Sequence, residues 1–324
     1  INQPIMEHIV NLLKCNGITD LVLLLFHQPE IIKKYFGDGS EFGVHITYVT
    51  PLEDYGTAGA VKAAARHLDE RFMIISGDLL TDFDLAQVID FHDRKQAKAT
   101  ITLTSVSDPL QFGVVITDKD ARITKFLEKP GWGEVFSDTI NTGIYILEPD
   151  ILDLIPAGEN RDWAKDVFPG MLESDAALYG CVVQGYWADI GNPEAYLEAC
   201  RDICHGKVSV QIPVPPIVEG SRIYVSPDAE IDERATLTGM VVLGGNTRIQ
   251  GHASLANSVV GRNCLIEDGV VIEDAVLWDN VYIKAGTRVT GANLGHRVRV
   301  GQRALIEKGV VVADETMVGD DVNI

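Results

Sequence analysis

Two hydrophobic periods run along this chain, one after the other. Up to about residue 205, apolar runs of strand length alternate with amphipathic stretches of helical spacing. Residues 4–14 read as an amphipathic helix and 20–26 as an apolar strand. A strand follows at 44–50, a helix at 58–68 and another strand at 72–76. Residues 85–96 are again helical and 99–106 strand-like. Such alternation predicts a largely parallel sheet with helices on both faces. Residues 113–117 and 122–127 are short strands separated by Asp118-Lys119-Asp120, the form of an antiparallel hairpin.

From Val225 onward a six-residue repeat takes over. Its apolar stripe is Val225, Ile231, Leu237, Leu243, Ile249, Leu255, Val260, Ile266, Ile272, Leu277, Ile283, Val289, Leu294, Val300, Ile306, Val312, Val318 and Ile324. Five-residue steps precede Val260, Leu277 and Leu294, which are themselves 17 apart. Two places before the stripe residues stand small or apolar ones, among them Ala229, Ala235, Ala253, Cys264, Ala275, Ala292 and Ala304. This pattern predicts a parallel β-helix in which each hexad forms one face of a triangular coil and the stripe points inward. The short steps predict one corner tightened in three successive coils. Residues 211–216, Gln-Ile-Pro-Val-Pro-Pro, cannot donate regular backbone hydrogen bonds and read as a linker. The expected division is a first domain at 1–207, a linker at 208–220 and the β-helix at 221–324.

Charge narrows the function. With 47 acidic and 27 basic residues the net charge is −20, which argues against a nucleic-acid or anionic-membrane surface. A nucleotide substrate needs only a few local cations and stays open. No apolar run reaches the ~18–20 residues of a membrane span and no signal peptide is visible, so a cytoplasmic enzyme is expected. The five cysteines show no CxxC pairing. Cys200 and Cys204, one helical turn apart, are expected to be reduced packing residues.

Candidate chemistry sits at strand ends. Residues 72–78, Phe-Met-Ile-Ile-Ser-Gly-Asp, form an apolar strand stopping at Gly77-Asp78, and 186–191, Tyr-Trp-Ala-Asp-Ile-Gly, repeat the design with Asp189. In an open α/β sheet the ligand crevice lies beyond the carboxyl ends of the strands. Two carboxylates there suit Mg²⁺, with phosphate oxygens completing its shell; each alone could be a turn. Tyr55-Gly56-Thr57-Ala58-Gly59 opens a helix where glycines admit close approach to backbone amides, although a plain helix entry capped by Thr57 reads equally well. Glu128-Lys129-Pro130 ends a strand with a cation able to hold a phosphate, or with an exposed surface pair. Phe112-Gly113 and Asn141-Thr142-Gly143 set small residues beside polar or aromatic ones, as sugar hydroxyls require and as turns also do.

In this order the motifs resemble the sugar-nucleotide pyrophosphorylases, the sugar-1-phosphate nucleotidyltransferases, over essentially the whole chain. Within that family the likeness runs closest to the mannose-1-phosphate guanylyltransferases of the bacterial type fused to a phosphomannomutase-like domain. It rests on Tyr35-Phe36-Gly37-Asp38-Gly39-Ser40, Asp54-Tyr55-Gly56-Thr57-Ala58-Gly59, Glu128-Lys129-Pro130-Gly131-Trp132-Gly133-Glu134 and Trp187-Ala188-Asp189-Ile190-Gly191. The resemblance implies an α/β fold, a Rossmann-like mixed sheet followed by a left-handed parallel β-helix. It also implies that Asp78 and Asp189 bind Mg²⁺. Tyr55, Gly56, Thr57, Ala58, Gly59 and Gly77 would meet the nucleotide. Gly113, Glu128, Asn141 and Thr142 would hold the sugar, and Lys129 its phosphate. Asp78, Lys129 and Asp189 would be the catalytic set. The implied reaction is a single displacement in which a sugar-1-phosphate oxygen attacks the α-phosphorus of GTP and pyrophosphate leaves. Mannose-1-phosphate is the expected acceptor, glucose-1-phosphate with another base the alternative, and a homo-oligomer joined through the β-helix the expected assembly.

The family's Gly-rich loop would precede Asn2-Gln3-Pro4, and a β-helix stopping at the stripe residue Ile324 would leave a coil edge open, so the parent chain is expected to extend on both sides. Two other classes of function compete. One is a catalytically silent sugar-nucleotide sensor or scaffold. The other is an acyltransferase site on the β-helix using His252 or His296, against which a solvated corner histidine is the commoner case. Trp278, off the inward stripe, marks an expected contact.

Overall fold

The computed structural model of the protein describes residues 2–128, 131, 137–212, 214 and 216–324. Lys129, Pro130, Trp132, Gly133 and Glu134 lie outside the described residues. The chain forms two compact units, Ile9–Trp187 and Ile1–His8 with Ala188–Ile324.

Helix α1 (Ile5–Cys15) leads into β1 (Asp20–Leu24), α2 (Pro29–Phe36) and β2 (His45–Val49). β1 and β2 form a parallel pair, Asp20 beside His45 through Leu24 beside Val49. Then come α3 (Gly56–Ala63), β3 (Phe72–Ile75), β4 (Leu79–Thr81), α4 (Leu85–Lys95) and β5 (Ala99–Ser105). The hairpin is β6 (Gly113–Thr117) and β7 (Ile123–Glu128), followed by β8 (Thr139–Leu147), α5 (Phe168–Glu173) and β9 (Leu178–Val182). Helix α4 begins where the Asp84 carboxylate accepts the Ala86 amide and ends at Gln96 in the left-handed region.

The larger sheet runs β7-β6-β8-β5-β9, with β3 also on β8. β5 pairs with β9 in parallel and with β8 antiparallel, and the resulting sheet is mixed. β5 has strands on both sides and is buried from Ala99 to Thr104, which its unbroken apolar and threonine run permits. Beneath it Tyr145, Trp163 and Phe168 pack as one aromatic group, with ring centroids 5.0–6.2 Å apart.

His92 is fully buried on α4. Its Nδ1 faces the Thr100 hydroxyl at 2.8 Å and its Nε2 the Glu148 carboxylate at 3.2 Å. A carboxylate only accepts, so Nε2 carries a proton. Burial lowers its pKa from the ordinary value.

The second unit carries the β-helix. Successive coils stack in parallel with Ile249, Ile266, Ile283, Val300 and Val318 in one column. Leu255, Ile272, Val289 and Ile306 form a second column, and Val260, Leu277, Leu294 and Val312 a third. The stripe is buried from Leu243 to Val312. Columns repeat every 17 residues wherever the short step falls between Leu255 and Val260, Ile272 and Leu277, or Val289 and Leu294. The preceding coil has one residue more at that corner, and the ladder absorbs it between Thr238 and Val241. Gly239 there has φ 66° and no room for a Cβ, because the Asn257 amide oxygen occupies it. Corners elsewhere turn on left-handed residues in register, such as Asn246, Asn263 and Asn280.

Helix α6 (Pro193–Cys204), after the short strand β10 (Trp187–Asp189), belongs to this unit. Asn192 caps it by accepting the Ala195 amide. Tyr196 stacks on Trp278, ring centroids 5.8 Å apart and 19° from parallel, so that tryptophan has a partner within the unit. Cys200 and Cys204 are buried on the same helix. Burial pushes the Cys204 thiol up to about 12, as a packing residue requires.

Leu277→Ala empties a site between two coils and is expected to cost about 2–5 kcal/mol, read from the midpoint and slope of denaturant unfolding. His92 titrates near its ordinary value when unfolded and lower when folded. The unfolded chain therefore binds more protons below about pH 6.5. Its contribution is present above that pH and lost as pH falls through the folded value. Stability is expected to drop between pH 7 and 5, and less steeply in His92→Gln.

Candidate active site

β8 is the axis of the site because its two halves take different neighbours on one edge. Residues 144–147 pair with β3, Ile75 beside Ile144. Further along the same edge Val114 of β6 pairs with Ile140. The next step of that antiparallel register sets Gly113 against Asn141, and Gly113 in turn pairs with Glu128 across the hairpin. β3 and β6 thus meet the edge end to end, and the gap between them falls at residues 141–143.

The gap is built by Gly143. Its φ of 77° favours glycine, and an added Cβ would lie 2.8 Å from the Ser76 hydroxyl. The Ser76 amide donates to the Gly143 carbonyl at 3.1 Å. The chain then leaves β3 through Gly77 and Asp78, both exposed, before re-entering as β4. The Gly-Asp pair is therefore a turn, and that turn opens beside the Asn141–Gly143 bulge. Asn141 is held at both ends of its amide: Nδ2 donates to the Tyr145 hydroxyl and Oδ1 accepts the Gly143 amide, each at 3.0 Å. The Thr142 hydroxyl is buried and donates to the Thr102 carbonyl, so its side chain faces the sheet. Its carbonyl accepts the Trp187 indole N–H at 3.0 Å, and Trp187 meets Phe112 edge-on at 5.2 Å.

Residues 55–59 form a second group. The close approach their glycines allow is made by the chain's own segment 159–161. A Cβ on Gly56 would lie 2.6 Å from the Arg161 carbonyl oxygen, and one on Gly59 2.4 Å from that of Glu159. The Arg161 carbonyl accepts the Ala58 and Gly59 amides at 2.8 and 3.3 Å, and the Arg161 amide donates to the Tyr55 carbonyl at 2.9 Å. Asp54 accepts the Gly56 amide, and Asp162 accepts the Thr57 hydroxyl at 3.0 Å. The amides of Gly56, Ala58 and Gly59 are thus satisfied internally, as a helix start requires.

The structure therefore brings Gly77, Asp78, Gly113, Asn141, Thr142 and the backbone of Glu128 along one edge, with Tyr55–Gly59 in the same unit. Asp189 is exposed on β10 and belongs to the other unit. Among the described residues no group of three or more His, Cys, Asp or Glu is placed to hold a metal. Mg²⁺ does not need one, since one or two carboxylates with phosphate and water oxygens suffice. The exposed carboxylates of Asp78 and Asp189 are of that chemistry. Sequence reasoning missed the segment 159–163. Its one visible signal is Asp162 directly before Trp163-Ala164, a helix-capping residue ahead of an apolar position.

The histidines weighed for acyl transfer sit apart on the β-helix. His252 is a left-handed corner residue paired with Asp268 at 3.1 Å, and His296 lies against Trp278. Among the described residues no helix is long and apolar enough to cross a membrane.

Residues 1–206 match the nucleotidyl transferase family, and residues 220–324 match the left-handed β-helix (LbH) domain of the EIF2B epsilon subunit. The chain belongs to the nucleotidyl transferase family, as a sugar-nucleotide pyrophosphorylase carrying a left-handed β-helix. It is 34% identical to UTP--glucose-1-phosphate uridylyltransferase of Synechocystis, over 85% of this chain and 74% of that protein. Mannose-1-phosphate guanylyltransferase of Mycobacterium tuberculosis is also 34% identical, over 83% of this chain and 74% of its own length. The corresponding Yarrowia lipolytica enzyme is 31% identical, over 87% and 85%. In fold, HddC from Yersinia pseudotuberculosis superposes with a TM-score of 0.54 at 24% identity, over 61% of this chain and 84% of that one. One expectation is corrected. The likeness to the type fused to a phosphomannomutase-like domain does not hold, because the second domain is the β-helix whose coil register is given above.

Gly59→Ala tests the closed start of α3. A methyl group 2.4 Å from a backbone oxygen must displace segment 159–161. The expected cost is about 1–3 kcal/mol in unfolding free energy, measured by denaturant titration.

Proposed function

We propose that this chain joins GTP to mannose-1-phosphate, within the family's general reaction of nucleotidyl transfer to a sugar-1-phosphate with release of pyrophosphate. The observation that carries it is the gap on the β8 edge, where the Gly77-Asp78 turn opens beside Asn141 and Gly113. A sugar-1-phosphate needs hydroxyl partners and, next to them, a carboxylate able to share a cation with phosphate oxygens. With one N–H given to Tyr145, Asn141 keeps its second for a sugar hydroxyl. Gly113, Glu128 and the Thr142 backbone complete that subsite, and Lys129 would meet the phosphate. Tyr55, Gly56, Thr57, Ala58, Gly59 and Gly77 would face the nucleotide.

Asp78 and Asp189 would hold Mg²⁺, which when bound supplies neutralisation of phosphate charge. The protein's own part is to align the sugar phosphate with the α-phosphorus and exclude other geometries, with no covalent intermediate on the enzyme. Mannose and guanine are favoured by the activities for which the Mycobacterium and Yarrowia relatives are named. The Synechocystis relative supports a second reading, UTP with glucose-1-phosphate.

The test is pyrophosphate release by the full-length protein with Mg²⁺, comparing GTP and mannose-1-phosphate against UTP and glucose-1-phosphate. Turnover is expected with the first pair and to fall roughly 100-fold or more in Asp78→Ala. Preference for the second pair would keep the reaction and move the specificity. Silence with both, in folded protein, would favour a sensor or scaffold.

A further inference from the structure

We infer that Asp162 is a positioning residue for the nucleotide, acting through Thr57 at the start of α3. The inference rests on the proposed nucleotide role of residues 55–59. Asp162 divides its carboxylate between two tasks. Oδ1 accepts the Ala164 and Lys165 amides at 2.9 and 3.0 Å, which caps its own helical turn. Oδ2 accepts the Thr57 hydroxyl at 3.0 Å, across 105 positions of sequence. Thr57 Oγ1 in turn accepts the Trp163 amide at 3.2 Å. The two bonds close a ring between neighbouring residues of one segment and a single hydroxyl, and this fixes the Thr57 rotamer.

The anchor behind the ring is rigid. Trp163 is 3% exposed and packs against Tyr145 and Phe168. Tyr145 is the residue whose hydroxyl holds Asn141. One packed path therefore runs from Asn141 on the sugar side through Tyr145, Trp163 and Asp162 to Thr57 on the nucleotide side. Asn160 adds a bond from its side-chain amide to the Asp54 carbonyl at 2.9 Å. A carboxylate at 162 is thus placed to set the nucleotide-facing loop relative to the sugar subsite without touching either substrate.

Three variants of the full-length protein separate this role from simple support. Thr57→Val removes the hydroxyl but leaves the Asp162 cap intact. Asp162→Ala removes both tasks. Asp162→Asn keeps an oxygen for the cap and can donate its N–H to Thr57. Steady-state kinetics are expected to show the nucleotide KM raised about tenfold in Thr57→Val and Asp162→Ala, the size of one lost hydrogen bond. The sugar-1-phosphate KM should stay within about twofold, and Asp162→Asn should recover most of the loss. A wild-type nucleotide KM in both deletions, or both KM values rising together with a falling Tm, would overturn the inference. If the wild-type protein turns over no substrate pair, the functional reading fails by itself. Equilibrium binding of GTP to the same variants then decides the inference, which falls if their affinities are equal or if GTP does not bind.

Discussion

The Arg161 carbonyl oxygen receives two amides from the first turn of α3, and most of the site's geometry depends on that contact. A helix start leaves amides that must find acceptors, and ligands often supply them. Here the chain supplies its own from 100 residues away. The approach demands glycine at 56 and 59, because any side chain would strike the Glu159–Arg161 backbone. It brings Asp162 to Thr57 and sets Trp163 against Tyr145, which links the loop after β2 to strand β8. The Tyr55–Gly59 loop is in this way held by the same aromatic group that underlies the Asn141–Gly143 bulge.

The β-helix follows a different constraint, the need for every coil to return in register. Columns of Val, Ile and Leu repeat at 17 or 18 residues. Ion pairs climb the outside between coils, Arg262 to Asp279, Arg297 to Glu315 and Arg303 to Asp321. The Arg297 and Arg303 pairs are largely exposed and worth little alone, whereas Asp279 is mostly covered. The buried stripe carries the stability, while the pairs offset part of the acidic excess locally.

Periodicity made the second unit legible in detail. The stripe, the small residues and the recurrent short step all correspond to observed columns and corners, since a repeat states its rule many times over. It hid the bulge at Gly239, which occurs once, and Ile324, expected on the inward stripe, is exposed. In the first unit the strand end at Gly77-Asp78 was visible as an apolar run meeting polar residues, and Asn141-Thr142-Gly143 as a small residue beside polar ones. Their assembly was not, because it arises from β3 and β6 sharing one edge of β8, a long-range pairing that no local pattern encodes. The glycines at 56 and 59 were legible as places of close approach, but the approaching group was not. Chain and ligand make the same steric demand, and only the fold distinguishes them. Thr142 shows the converse case. A polar side chain between Asn141 and Gly143 looks available, yet strand alternation turns its hydroxyl inward to Thr102.

Exchange of labelled pyrophosphate into GTP, with and without mannose-1-phosphate, shows whether the nucleotidyl group passes directly to the sugar phosphate at one site. A single displacement predicts that label enters GTP only when the sugar phosphate or its nucleotide-sugar product is present. Label entering GTP in the absence of both would contradict the account, because it would require a nucleotidyl group held on the enzyme.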